Sequence, residues 1–229
     1  MRYLIAKCLT MARQLSRLFN PTGQFVVILG PDGSGKSTVS GLVVSQLERA
    51  FRKTWRFHWR PNLLPKLGRD AASTTNRARA EEGPPEKSKY TGIISLLRFL
   101  YYWMDFVCGY WLVIYLRKAQ ATLIIGERYF PDVVVNPHRY GFAVPPWLLR
   151  IAAKTVPSPD LTVLLKGDPQ VIFTRKPELS IATISEQIRE YENELPLWDN
   201  SVIISTESSA IDIATQISDL ILLQCARRI

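Results

Sequence analysis

The chain has 229 residues, of which 47% are apolar, and its 29 basic against 20 acidic side chains leave a net charge of +9. That length suits one domain, two at most, and the composition excludes wholesale disorder, a collagen-like fibre and a small disulfide-stapled scaffold. The charge points to anionic partners, whether nucleotides, nucleic acid or an acidic lipid surface, without choosing among them.

Residues 1–20 contain no acidic side chain, and the first in the chain is Asp32. On a helical wheel Leu4, Ile5, Cys8, Leu9, Met11, Ala12, Leu15, Leu18 and Phe19 share one half. Arg2, Lys7, Arg13 and Arg17 occupy the other. The pattern predicts an amphipathic helix over 1–20, ended by Asn20-Pro21-Thr22-Gly23. Such a helix can lie on its own domain, on an anionic membrane surface, or serve as a targeting segment. No uninterrupted apolar h-region of a secretory signal is visible. Cys8, Cys108 and Cys225 are too far apart for a CxxC pair or a zinc knuckle, so a reduced cytoplasmic compartment is expected. A peripheral position at the inner face of a membrane is allowed through residues 1–20.

A domain is expected over 24–229. The run Gln24 to Gly30 reads as a buried parallel strand, followed by a glycine-rich loop and a helix over 36–52. Thr54 to Arg60 alternates and reads as a second strand. The stretch 62–90 has a polar centre with a Pro-Pro pair and no periodic apolar face, so a long mobile loop is expected. Gly92 to Lys118 is strongly apolar, and Asp105 is its only charge between Arg98 and Arg117. A long core helix is preferred over a membrane span. Asp105 at the centre would cost about 2.5–3.5 kcal/mol on insertion scales, and a span would separate the glycine loop from the next strand. Strands follow at 122–127, 161–166 and 201–205, with helices at 145–155, 169–176, 184–194 and 208–226. Strands alternating with helices predict a three-layer α/β/α fold with an about five-stranded parallel sheet.

The most specific signal is Gly30-Pro31-Asp32-Gly33-Ser34-Gly35-Lys36-Ser37-Thr38, which fits GxxxxGK[ST]. It follows a predicted buried strand and opens a predicted helix, the context such a loop requires. Gly30, Gly33, Ser34, Gly35, Lys36, Ser37 and Thr38 are therefore candidate nucleotide-phosphate ligands. The backbone N–H groups cradle oxygens, Lys36 reaches the β- and γ-phosphates, and the Ser37 hydroxyl ligates Mg²⁺. Glu127, at the carboxyl end of the strand 122–127, is a second candidate for the metal. Arg128 is a candidate for neutralising a transferring phosphoryl group. Asp32, a carboxylate inside the loop, is a candidate proton acceptor or hydroxyl ligand.

The glycine loop resembles that of thymidylate kinases and related P-loop kinases. Ile124-Ile125-Gly126-Glu127-Arg128-Tyr129 resembles the family's strand ending in Asp-Arg-Tyr, with Glu for Asp. Gly167-Asp168-Pro169-Gln170-Val171, running to Arg175-Lys176, resembles its next strand and lid. The resemblance implies a P-loop kinase with a short lid that uses ATP and Mg²⁺, with Arg175 and Lys176 closing over the phosphates. It implies a small phosphoryl acceptor, most simply dTMP, held by Arg60, Asp105 and Tyr129. A homodimer is left open.

Two departures qualify the acceptor. Trp59-Arg60-Pro61-Asn62 lacks the Glu of the family's Arg-Glu-Pro-Gly stretch. Counting back from Glu127 places Phe106 where an arginine of an Asp-Arg pair is expected. Arg69, Arg77 and Arg79 in the long loop are possible substitutes. Tyr129 to Tyr140 and Lys176 to Ser180 resemble divergent thymidylate-kinase-like proteins of glycan assembly. That likeness raises an alternative acceptor, the hydroxyl of a sugar, glycan or lipid-linked molecule, with His138 beside Arg139 as candidate ligand. A nucleotide-binding protein without turnover is the third reading. His58 reads as structural. Trp55, Trp59, Trp103 and Trp111 read as core rather than as stacking platforms, so no nucleic-acid partner is expected.

Overall fold

The computed structural model describes residues 19–67 and 92–228. The expected helix over 1–20, apart from its last two residues, and the loop arginines Arg69, Arg77 and Arg79 lie outside the described residues.

Five strands form one all-parallel sheet: β1 (Gln24–Leu29), β2 (Lys53–His58), β3 (Thr122–Glu127), β4 (Leu161–Lys166) and β5 (Ser201–Ser205), in the order β2-β3-β1-β4-β5. Seven helices connect and flank them: α1 (Lys36–Leu47), α2 (Gly92–Ala119), α3 (Phe130–Val135), α4 (Pro146–Thr155), α5 (Pro169–Arg175), α6 (Ile181–Glu194) and α7 (Ala210–Ala226).

The strand order dictates the layers. A parallel crossover is right-handed, so its direction across the sheet decides which face its helix covers. The step from β1 to β2 runs one way and puts α1 on one face. The steps β2 to β3, β3 to β4 and β4 to β5 run the other way, carrying α2 to α6 to the opposite face. β1, buried along its whole length, shows the result directly. Val26 and Ile28 pack with Val39, Val43 and Leu47 of α1 and with Ile213 and Ile217 of α7. Phe25, Val27 and Leu29 pack with Phe99 and Phe106 of α2, Val133 of α3 and Leu149 of α4. The fold is thus α/β with both faces of the sheet covered, as expected from the alternation of strands and helices. Between β1 and β4 the chain changes direction across the sheet. Such a switch leaves a crevice at the carboxyl ends of the strands.

Three local differences from the sequence reading have identifiable causes. The second strand ends at His58 rather than Arg60, because Trp59 turns into the left-handed region with φ 74°. The β-branched run Val133-Val134-Val135, to which the sequence reading gave no element, is helical. Pro131 opens α3, and a 3₁₀ turn over Pro137–Tyr140 follows, with the Asn136 side chain accepting from Arg139 N–H. Finally α2 is a core helix on one side only. Its inner face buries Phe99, Tyr102, Asp105 and Phe106 and, within a π-helical segment over Tyr110–Tyr115, Ile114. Its outer face exposes Ile93, Leu97, Leu100, Met104 and Trp111.

Candidate functional site

At the carboxyl ends of β1, β2 and β3 a cavity of about 520 Å³ is lined by the whole loop from Asp32 to Thr38. It is also lined by His58, Glu127, Arg128, Arg175 and Lys176, and by the start of α7. The loop's path needs its glycines. Gly30, Gly33 and Gly35 have φ of 142°, 87° and 89°, and a Cβ on Gly30 would stand 2.8 Å from both Leu165 O and Ser34 Oγ. Gly35 opens α1 with no side-chain cap. The first-turn N–H groups, at the positive end of the helix dipole, are therefore left for something else. The Ser34 hydroxyl is buried in the cavity wall without a hydrogen-bond partner. Uncapped amides plus an orphaned buried hydroxyl make a cradle for anionic oxygens.

Lys36 is buried and folds back over this cradle. Its Nζ donates to Gly30 O at 2.8 Å and Pro31 O at 2.7 Å, and lies 3.7 Å from Asp32 Oδ1. Burial and the nearby Arg128 push the ammonium down to about 8, against the pull of Asp32 and Asp132. This depression predicts a pH dependence. A polyphosphate bound in the cradle adds negative charge and raises the pKa of Lys36 again. Binding above pH 8 therefore takes up a proton, and affinity falls as pH rises past about 8, by up to tenfold per pH unit. Calorimetric titration with ATP at pH 7 to 10, in buffers of different ionisation enthalpy, reads this uptake. A pH-independent affinity over that range, with no buffer dependence, would exclude Lys36 from the binding site.

Glu127 sits opposite, at the end of β3. It accepts from Ser37 Oγ at 2.7 Å and from Ser40 Oγ at 2.5 Å, with Arg56 at 3.8 Å and His58 at 3.9 Å. Burial would raise its pKa, but His58, the two serine hydroxyls and Arg56 outweigh it and hold the carboxyl down to about 2. Ser37 and Glu127 thus present adjacent hard oxygen donors, the type Mg²⁺ takes while keeping several waters. Among the described residues no group of three or more His, Cys, Asp or Glu could hold a metal by itself. A metal here would depend on phosphate oxygens and water for its remaining ligands.

Asp32 is the hub of an ionic network. Arg128 donates to its Oδ1, and Arg139 donates to Oδ2 at 2.6 Å. Burial opposes ionisation, but Arg128, Arg139 and Lys36 together hold the carboxyl well below the usual carboxylate range. So low a carboxylate is a weak proton acceptor, and it is better suited to orienting donors. Arg128, with φ 69°, also lies 4.0 Å from buried Asp132. Asp132 accepts from the hydroxyls of Tyr140 and Tyr191. Burial and the Asp132 charge push both phenols well above their usual value, so both stay donors. The network fixes the Arg128 guanidinium beside Lys36 without side-chain freedom.

The structure brings Asp32, Gly33, Ser34, Gly35, Lys36, Ser37, Thr38, Glu127, Arg128 and Arg175 to one cavity. Gly30 shapes the loop behind it. The three expected acceptor residues are elsewhere. Arg60, 1% exposed, donates to Asp105 Oδ2 at 2.7 Å and Leu64 O at 2.8 Å, and its guanidinium lies near the rings of Trp59 and Tyr102. Asp105 spends its other oxygen on Leu64 N–H. Tyr129 is buried between Phe25 and Phe106. None of the three lines the cavity. Phe106 is core, against Tyr129 and Phe130. His58 corrects the structural reading, because it is half-exposed and lines the cavity beside Glu127. Arg139, read only as a neighbour of His138, and Ser40, one helical turn after Ser37, complete the site. The serine spacing was visible in the sequence; nothing local marked Arg139.

No family model matches the chain, and no curated protein matches it.

Proposed function

We propose that the chain is an ATP-dependent, Mg²⁺-assisted phosphotransferase of the thymidylate kinase-like type. The observation that supports this best is the single cavity in which the uncapped start of α1, the unpartnered Ser34 hydroxyl, buried Lys36 and the Ser37–Glu127 pair converge. In this reading the loop amides and Lys36 bind the β- and γ-phosphates. Ser37 and Glu127 hold Mg²⁺, whose contribution is neutralisation of phosphate charge. Arg128, locked by Asp32 and Asp132, meets charge developing on the transferred group. Arg175 and Lys176 approach from the end of α5. Asp32 orients the acceptor hydroxyl. Phosphoryl transfer through a loose transition state asks more of positioning and electrostatics than of a strong base.

By resemblance the simplest acceptor is a nucleoside monophosphate, dTMP. A second reading, the hydroxyl of a sugar, glycan or lipid-linked acceptor, is favoured by the burial of Arg60 on Asp105, which leaves neither to grip an acceptor phosphate. Accordingly dTMP is expected to be a poor substrate even where ATP binds well. A panel of nucleoside monophosphates and sugar acceptors, assayed by ADP release, checks both readings. Robust dTMP-dependent turnover at micromolar substrate would restore the first and discard the second. ATP binding with no turnover on any acceptor and no ATPase would leave a nucleotide-binding protein without catalysis.

A further inference from the structure

The outer side of α2 is the largest feature the site does not use. Ile93 (76% exposed), Leu97 (61%), Leu100, Met104, Trp111, Leu112 and Leu116 all stand open on it. Up to Met104 the spacing is that of one α-helical face. Trp111, seven residues after Met104, continues that face, and a π-helical segment over Tyr110–Tyr115 follows, with Leu116 exposed just beyond it. The stripe from Ile93 to Leu116 is about 35 Å long at 1.5 Å per residue. Beside it lies α4, joined to α2 by the hydrogen bond from Trp103 Nε1 to Thr155 Oγ1 at 2.9 Å. The outer face of α4 adds Trp147 (62%) and Ile151.

On α4 exposed Arg150, paired with Glu194, and Lys154 share this side, whereas the α2 strip itself holds no charge. Asp105, the one acid in the helix, is turned inward onto Arg60. Arg98 lies over the Tyr102 ring. Lys154 stands exposed on α4, and the partly exposed Arg117, over the Trp55 ring, marks the far end of α2, where Lys118 is buried on Asp160. There Gly23 N–H donates to Lys118 O at 2.9 Å, and the sequence before it carries Arg2, Lys7, Arg13 and Arg17 and no acid.

We propose that the α2–α4 face is a docking surface for an anionic lipid bilayer. An apolar strip with a cationic border matches the boundary between acyl chains and acidic headgroups. Trp111 and Trp147 place amphipathic indoles where headgroups lie. From Ile93 to Leu116 the helix exposes no acidic side chain that would repel an anionic headgroup layer. α2 ends at Ala119, just before the amino end of β3 at Thr122, so the strip runs back from there toward the end of the sheet that holds the cavity, and docking would bring a membrane-borne acceptor toward it.

The test uses the full chain and two vesicle types, phosphatidylcholine alone and phosphatidylcholine with phosphatidylserine. Wild type is expected to co-sediment with the anionic vesicles in a salt-sensitive way and much less with the neutral ones. The double variant Leu97→Asp with Met104→Asp, at exposed positions outside the cavity, should lose at least about tenfold in partitioning while keeping its circular dichroism spectrum and ATP binding. Brominated lipid should quench tryptophan fluorescence in wild type and measurably less in Trp111→Phe, a readout that stands even if the double variant does not fold. Three results would overturn the proposal. The first is no binding to either vesicle. The second is vesicle binding untouched by the double variant with equal quenching in Trp111→Phe, which would assign binding to residues 1–20 alone. The third is a dimer in sedimentation velocity that the double variant splits, without lipid binding, which would give the face to a second copy.

Discussion

Lys36→Ala is expected to abolish phosphoryl transfer, with turnover falling by at least about 10³-fold. The loss is large because the lysine is the buried cation held closest to the loop that would receive the phosphates. The two nearest arginines are already committed. Arg128 is tied to Asp32 and Asp132, and Arg139 to Asp32. The fold should survive, since the ammonium is costly to bury, as its pKa near 8 records. The sign follows from linkage. Between about 8 and the ordinary value of 10.5 the unfolded chain binds the proton that the native lysine has released, so this group makes stability rise with pH across that window. Lys36→Ala should lack that rise. Thermal denaturation of both proteins from pH 7.5 to 10 measures it. Near wild-type turnover in the folded variant would remove the phosphate-loop assignment.

The glycine-rich loop between a buried strand and a helix was legible in the sequence because it is written in consecutive residues. A buried strand, four loop residues between two glycines, and a helix starting at Lys36 leave the backbone few alternatives. Glu127 was legible for a related reason, since a carboxylate ending a buried strand beside the loop has few places to go. The remaining features depend on contacts distant in sequence. Arg139 reaches Asp32 across 107 positions, and Tyr191 reaches Asp132 across 59. His58 alternates in a strand as a structural residue would, and only the parallel register His58↔Glu127 puts it at the cavity. Arg60 and Asp105 were expected as acceptor ligands from the resemblance alone, since no local pattern foretells their pairing. Packing instead pairs them with each other under the aromatic rings of Trp59 and Tyr102. The outer face of α2 was misjudged because an all-round apolar helix reads as buried, while here only one side meets the sheet.

Glu127→Gln tests the metal half of the site with the least change in shape. The amide keeps an oxygen for one serine, and its NH₂ can donate to the other hydroxyl, which rotates to accept. What disappears is the negative charge. Arg56 and His58 lose their partner, but both are about half exposed, and water replaces the carboxylate at small cost. The melting temperature should therefore shift little, while turnover falls by about 10²- to 10³-fold. The defect should appear as a higher Mg²⁺ requirement before it appears as weaker nucleotide binding, because Lys36 and the loop amides are untouched. The wild-type carboxyl, held at about 2, stays ionised through the neutral range, and its favourable contribution, complete above its ordinary value of 4.5, is lost only as pH falls through about 2. Loss of activity between pH 6 and 5 should accordingly not be assigned to Glu127. Turnover as a function of Mg²⁺ concentration for the two proteins gives the decision. Superimposable curves would reduce Glu127 to a structural acceptor for Ser37 and Ser40.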